Sequence, residues 1–293
     1  MKLYAPSYYK KFKCIADKCS HSCCIGWEID IDPDTYEKYE NLTCEYGEKI
    51  RASIEISDTP CFKLQKNDRC PHLDSRGLCK IITHLGEEYL CEICREHPRF
   101  YNFTTQGCEV GLGMACEEAC RIILDTDAEV SLTEIGELDG EPDAEAFDTL
   151  ALRKTVLEPF CSDKSYDKCA NELCDKIGIS YTAFDISKWS SIICDLEYLD
   201  PLHKELFLST QGANKCSDQQ LKRAFCYFVN RHAASAFDPC EFYRCLCFAL
   251  FCVSLLRHVS SVLGDSYVAA RIVSEEIEYS TDNTEAIKQA FEF

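Results

Sequence analysis

Apolar and polar positions change their rhythm midway along this chain. Up to about residue 124 short elements alternate with turns, and beyond residue 149 apolar residues recur at spacings of three and four almost without a break. In the first part, Asp32-Pro33-Asp34 predicts a helix start, with an acidic cap and proline at the first helical position, continuing through TYEKYENL. Residues Ser53 to Leu64 alternate weakly and predict a strand. Residues Phe100 to Met114 predict a hairpin turning at Thr105-Gln106-Gly107, and Cys116 to Leu124 a helix with Cys116 and Cys120 one turn apart on one face.

Helices are predicted over Ala144–Pro159, Ser165–Ile177, Ser187–Leu199, Asp218–Ala234 and Cys240–His258. The last has the fullest start signal, since Asp238 can cap it, Pro239 takes the first helical position and Glu241 can reach back. Its apolar run from Cys245 through Val253 to Leu256 lies between Arg244 and Arg257, shorter than the ~20 residues that span a bilayer, and predicts a buried helix rather than a membrane segment. The expected fold is mainly α with small β-hairpins: a cysteine-rich, metal-binding N-terminal domain (1–124) packed on a helical C-terminal domain (149–293).

Between them, residues 125–148 carry ten acids and no lysine or arginine, broken by Gly136, Gly140 and Pro142, and read as an acidic linker. The formal net charge is -19, which argues against a nucleic-acid partner, because phosphate binding needs clustered Lys and Arg. A basic protein substrate would suit it.

Cysteine changes the picture most, with 23 in 293 residues. The N-terminus has no apolar core of signal-peptide length, so a cytoplasmic location is expected, and there reduced thiols read as metal ligands before they read as disulfides. Cys14, Cys19, Cys23 and Cys24 form a C-x4-C-x3-C-C group followed by Ile25-Gly26-Trp27-Glu28. A second group runs through Cys70, Cys79, Cys91 and Cys94. Pro71 and Gly77 turn that segment back on itself, and Cys91-x2-Cys94 can bite one ion. Cys116 starts a helix, where a thiolate gains from the positive helix end. Beyond the linker the cysteines mostly occupy apolar helix positions and read as small hydrophobes.

Three runs, FKCIADKCSHSCCIGWEIDID, CPHLDSRGLCKIITHLGEEYLCEICREHPR and LGMACEEACRIIL, resemble the flagellin lysine N-methylase family. The resemblance covers residues 8 to 124, with a weaker echo at Tyr227-Phe228 and Arg231-His232. It implies transfer of a methyl group from S-adenosylmethionine to flagellin lysines, with a 4Fe-4S cluster taking part. The family pattern falls on Cys14, Cys19, Cys23, Cys24, Cys70, Cys79, Cys94 and Cys116, and leaves Cys91, Cys108 and Cys120 outside. Eight thiols exceed the four that one such cluster takes, so a second metal or a supporting role is open for the others, as is zinc in place of iron. The chain is also short after the linker compared with the family.

There is no G-x-G-x-x-G turn for a doubly wound methyltransferase and no C-x3-C-x2-C run for a radical enzyme. N-methylation needs a neutral lysine amine, and Glu28, His97 and Tyr101 are the candidate helpers. Their plainer roles are a surface acid, a hydrogen-bonding turn residue and a strand aromatic. Trp27 can face a sulfonium or pack the cysteine loop, and Arg95 and Arg99 can hold the donor's carboxylate or pair with neighbouring acids. The competing reading is a non-catalytic zinc- or iron-binding protein for redox, sensing or metal assembly.

Overall fold

The acidic residue before each of two prolines starts a helix. Asp32 accepts a hydrogen bond from the Thr35 backbone N–H and opens α1 (Pro33–Glu40), and Asp238 accepts one from Glu241 and opens α11 (Pro239–Leu263). The computed structural model of the chain describes residues 1–56, 58–126, 131–142, 147–210 and 212–291. It divides into two compact units, Lys13–His97 and the larger Met1–Phe12 with Pro98–Phe293. The units part at these points, away from the acidic stretch that composition marks as a boundary.

The smaller unit holds α1, α2 (Glu45–Ala52), the short antiparallel strands β2 (Ile54–Glu55) and β3 (Cys61–Phe62), α3 (Lys80–Leu85) and α4 (Glu92–Glu96). The strand predicted over Ser53–Leu64 is thus two strands, because the chain turns back between them. Its core is eleven buried residues, Ile29, Ile31, Tyr39, Tyr46, Ile50, Ile54, Phe62, Cys70, Leu73, Ile81 and Cys91.

In the larger unit a four-stranded sheet has the order β4-β5-β1-β6, from β1 (Lys2–Pro6), β4 (Arg99–Thr104), β5 (Gly107–Leu112) and β6 (Leu132–Glu137). The predicted hairpin is β4–β5, closing with Thr104 opposite Gly107. At Gly107, φ is +139° and an added Cβ would lie 2.4 Å from the Lys2 carbonyl oxygen, so only glycine fits between the turn and β1. Part of the acidic stretch is β6, antiparallel to β1. Only its residues 125–126, 131–142 and 147–148 can be placed; 127–130 and 143–146 lie outside the described residues.

Helices fill the rest: α5 (Glu117–Leu124), α6 (Leu150–Leu157), α7 (Tyr166–Ile177), α8 (Ser190–Asp195), α9 (Pro201–Phe207), α10 (Asp218–His232), α11, α12 (Ser266–Val273) and α13 (Thr281–Gln289), with a π-helical turn at Ser274–Glu278. The element predicted over Ser187–Leu199 is shorter, a 3-10 turn at Ile186–Trp189 leading into α8, with Leu196 already extended. The one predicted over Ala144–Pro159 is helical from Leu150, its first residues lying outside those described. The 25-residue α11 is longer than its apolar run, ending at Gly264 in the left-handed conformation (φ 77°). It is long and apolar enough to cross a membrane by length and composition, yet most of it is enclosed by protein. Phe248, Phe251, Cys252 and Leu255 are all fully buried, as expected of a helix apolar on every face inside a core.

Candidate metal centre

Four backbone pairings fold the smaller unit's cysteine segments onto one another. The Cys70 N–H donates to the Cys24 carbonyl at 2.9 Å and Gly26 N–H to the Asp68 carbonyl at 3.0 Å, which clamps the Cys24 loop beside Cys70. Leu73 bridges Cys79 antiparallel, and Lys80 N–H donates to the His72 carbonyl at 2.7 Å. The turn between is tied by Asp74 Oδ1, which accepts from Arg76 and Leu78 N–H, while Gly77 supplies the positive φ of 81° that the reversal needs. Cys91 stands at the N-terminus of α4 with Cys94 one turn along, and its carbonyl accepts from Cys94 N–H at 3.0 Å.

Cys24, Cys70, Cys79, Cys91 and Cys94 are thereby gathered within range of one another's charge. Burial first, then thiolate neighbours at Cys24, Cys79 and Cys91, push Cys70 up to about 12. Cys79 rises for the same reasons, burial first and then Cys24 and Cys91. Cys94 is driven well above the usual thiol range by its hydrogen bond to Cys91 and then by burial. Two groups move the other way. Cys24 falls to about 7 because its hydrogen bond with Cys23 outweighs burial, helped by Ser22 and Arg69. Cys91 is lowered by its hydrogen bond with Cys94, against burial, and by Tyr39, whose hydroxyl lies 3.6 Å from its sulfur.

Cys24 and Cys91, whose ionisation is favoured, thus lie near three thiols whose ionisation is opposed by burial and by neighbouring thiols. A soft cation reverses that balance, because metal binding draws off the protons that mutual repulsion retains. In kind and in number the donors fit a thiolate-bound metal or cluster, although among the described residues no three His, Cys, Asp or Glu side chains are set to hold an ion as they stand. None of the 23 cysteines is joined in a disulfide. His72 is engaged elsewhere, with Nδ1 2.9 Å from the Tyr46 hydroxyl and Nε2 2.9 Å from Ser53 Oγ, and burial lowers it to about 4.

The gathered set differs from the eight thiols that the family pattern singles out. Cys24, Cys70, Cys79 and Cys94 are shared. Cys91, outside the pattern, joins them, and its two-residue spacing from Cys94 is the signal that marks it. Cys14 is exposed and accepts from Ala16 N–H, and Cys19 donates to the His21 carbonyl, both contacts within one loop. Cys23 is exposed and reaches the set through Cys24. Cys116 stands at the N-terminus of α5 in the larger unit, with no capping bond from its side chain.

Of the candidate helpers and donor ligands, Trp27, Glu28, Arg95 and His97 lie in the smaller unit and Arg99 and Tyr101 in the larger. Glu28 is exposed and hydrogen-bonds the Cys61 thiol, raising it after burial does. Arg95 pairs with Glu96 at 3.5 Å. Arg99 donates to the Tyr9 hydroxyl at 2.9 Å and lies against the rings of Tyr9 and Phe12. Tyr101 is 40% exposed on β4, and His97 follows α4 at half-burial. Nothing in the sequence signals Tyr39 or Arg69, which tune the thiols from other segments.

In the larger unit the Tyr227 and Arg231-His232 positions converge on Glu278. Its carboxylate takes Tyr227 at 2.9 Å, His232 at 2.7 Å and Arg231 at 3.3 Å. Arg231 also lies over the rings of Phe100 and Tyr279. Burial works against the Glu278 anion, yet Arg231 and His232 hold it below the usual carboxylate value.

No protein-family profile matches the chain, and no solved structure does. Among curated proteins it is similar to the flagellar biosynthetic protein FliU of Salmonella muenchen, 29% identical over 137 residues that make up 42% of this chain and 78% of the relative. It is equally similar to the lysine-N-methylase of Salmonella choleraesuis, 29% identical over 137 residues, and to that of Salmonella typhimurium at 28%. These matches span 33% of each methylase, so the chain corresponds to about a third of their length.

Proposed function

The chain belongs, over its matched residues, to the flagellin lysine N-methylase family, and from that premise we propose that it is a protein-lysine N-methyltransferase whose smaller unit carries a thiolate-bound 4Fe-4S cluster. The observation that carries the reading is the gathering of Cys24, Cys70, Cys79, Cys91 and Cys94, two of them buried and three half-buried, within range of one another's charge in the smaller unit. Four of the five would hold the cluster and the fifth would support it. Bound there, the group would supply positive charge and a rigid centre joining three loops.

The methyl donor is S-adenosylmethionine and the acceptor a lysine of flagellin or of another protein. The neutral Nζ lone pair attacks the methyl carbon, the S–CH3 bond breaks with its electrons left on sulfur, and the amine's proton passes to a base. Glu28, His97 and Tyr101 are the chain's candidates for that base. A negative chain favours approach of a lysine-bearing partner.

Anaerobic purification tests the cluster. The expected result is a brown protein absorbing near ~400 nm. Incubation with S-adenosylmethionine and flagellin is then expected to add methyl mass to lysine peptides. A colourless protein with stoichiometric zinc and no methyl gain would favour the non-catalytic metal-binding reading, which the chain's match to only a third of the methylases also supports.

A further inference from the structure

Two thiols of the larger unit meet where the turn after α6 packs on α10. Cys161 ends the 3-10 turn Glu158–Cys161 and is exposed, and Cys226 lies on α10, 5% exposed. Their side chains are hydrogen-bonded to each other. That bond, and then burial, hold the Cys226 thiol well above its ordinary value, which makes Cys226 the donor and Cys161 the acceptor.

Neighbours on either side fix the pairing. Lys222, Phe225 and Cys226 share one face of α10, three and four positions apart. Phe225 stacks on Phe160 with ring centroids 4.1 Å apart and planes 24° from parallel, and Lys222 Nζ donates to the Ser162 carbonyl at 2.9 Å. Phe160, Cys161 and Ser162 are therefore held against that face in register, with the two cysteines between a ring stack and a hydrogen bond. Both cysteines also line the open cavity of about 900 Å³ between the sheet and helices α6 and α10, so the pair borders solvent space.

An exposed thiol with a second thiol beside it is the arrangement of a redox sensor, in which the first is oxidised and the second resolves it. We propose that Cys161 and Cys226 form a reversible disulfide under peroxide, a modification that ties the turn after α6 to α10. The Cys161 sulfur takes one oxygen of hydrogen peroxide as the O–O bond breaks, giving a sulfenic acid and one water. The Cys226 sulfur then attacks the Cys161 sulfur, the S–O bond breaks, and hydroxide leaves with the Cys226 proton as a second water. Peroxide gains two electrons and each thiol loses one. Thiols already in hydrogen-bond contact need only a short further approach to reach the ~2 Å of a disulfide, and a dithiol reductant reverses the bond by exchange. The pair lies in the larger unit, so the inference stands whichever metal the smaller unit holds.

Trypsin isolates the two thiols, because residues 155–164 and 224–231 are tryptic peptides with one cysteine each. The anaerobically purified full chain is treated with hydrogen peroxide, its remaining thiols are blocked, and it is digested without reductant. The expected main product of residues 155–164 is a linked pair with residues 224–231, lighter than their sum by two hydrogens and released by dithiothreitol. In Cys226→Ala the Cys161 sulfenic acid has no resolving thiol, and its capture by dimedone should rise about tenfold over wild type, while exposed Cys194 and Cys240 are captured alike in both proteins. The wild-type mass map needs no variant, so the test holds even where Cys226→Ala unfolds. Recovery of Cys161 from treated wild type as a separate peptide, untouched, overoxidised or joined to another cysteine, would overturn the proposal. Equal capture in wild type and Cys226→Ala would remove Cys226 as the resolving thiol and overturn it as well.

Discussion

The cysteines of the two units differ in what sets their ionisation. In the larger unit Cys174, Cys245, Cys247 and Cys252 are raised first by burial. They behave as small hydrophobes in a core built round α11. In the smaller unit the leading influence on Cys24, Cys91 and Cys94 is another thiol. Neighbours rather than burial distinguish the two settings: burial is the leading influence at both Cys70 and Cys247, each pushed up to about 12, but Cys70 is raised further by Cys24, Cys79 and Cys91, while the neighbour of Cys247, Tyr243, lowers it.

The sharpest break of this comparison is Cys70→Ser against Cys252→Ser. Cys70→Ser is expected to strip the metal and unfold the smaller unit, since structural thiolate sites hold folding energies on the order of 10 kcal/mol. Cys252→Ser buries a hydroxyl in hydrocarbon and is expected to cost about 1–3 kcal/mol while the absorbance near ~400 nm stays. Metal analysis and thermal melts read both. If Cys252→Ser bleached the protein and Cys70→Ser did not, the assignment of chelation to the smaller unit would be lost.

Next in size is Phe251→Ala. Phe251 is fully buried on α11 and packs against Trp189 at a ring distance of 4.5 Å. Its truncation is expected to lower the larger unit's stability by about 3–5 kcal/mol, read as a shift in denaturant midpoint, with metal content unchanged. A fall in metal content would show that the units do not keep separate accounts of stability.

What the sequence made legible follows the same division. Helices that carry their own start signals and bury apolar residues, α7 on one face and α10 and α11 on every side, lie where spacing puts them, because local capping and core burial agree. The inner strand β1 and the edge strand β6 were not legible: β6 is an acidic, half-exposed strand whose pairing with β1 comes from residues 130 positions away or so. In the centre, Cys70 and Cys79 were legible through Pro71 and Gly77, since turn residues act locally. Cys91 was visible by spacing and excluded by family pattern, and the Tyr39 hydroxyl that meets it is supplied by a helix 52 positions earlier, which no short-range motif encodes.

The larger unit's dependence on acid is a smaller effect of the same packing. His258 on α11 is 4% exposed and its Nε2 is buried with no partner among the described residues. Burial holds it below the usual imidazole value, against the Leu206 and Phe207 backbone and Asp185, which favour the proton. The unfolded chain therefore binds the proton more readily. The stabilisation is complete above ~6.5 and is lost as pH falls through the folded value, at no more than ~1.4 kcal/mol per pH unit for one proton. Denaturant midpoints from pH 7 down should fall in wild type and fall less steeply in His258→Gln. Parallel slopes would remove His258 as a contributor.

The finest comparison sets two identical sequence signals against each other. Asp32-Pro33 and Asp238-Pro239 read alike, and each aspartate caps its helix, but Asp32 has a second task. Its Oδ1 accepts from Thr35 N–H at 3.0 Å and its Oδ2 from Glu92 N–H at 2.7 Å, so one carboxylate ties the start of α1 to the first turn of α4 beside Cys91. Asp238 meets only its own helix among the described residues, through Glu241 N–H at 2.7 Å. Asp238→Ala should therefore cost about 1 kcal/mol, the usual worth of a cap, and Asp32→Ala about 2 kcal/mol, with Asp32→Asn between because an amide offers a single acceptor oxygen. Denaturant midpoints of the three variants give the order directly. Equal losses for Asp32→Ala and Asp238→Ala would mean that the bond to α4 adds nothing, and that Cys91 is positioned by Cys94 and Tyr39 alone.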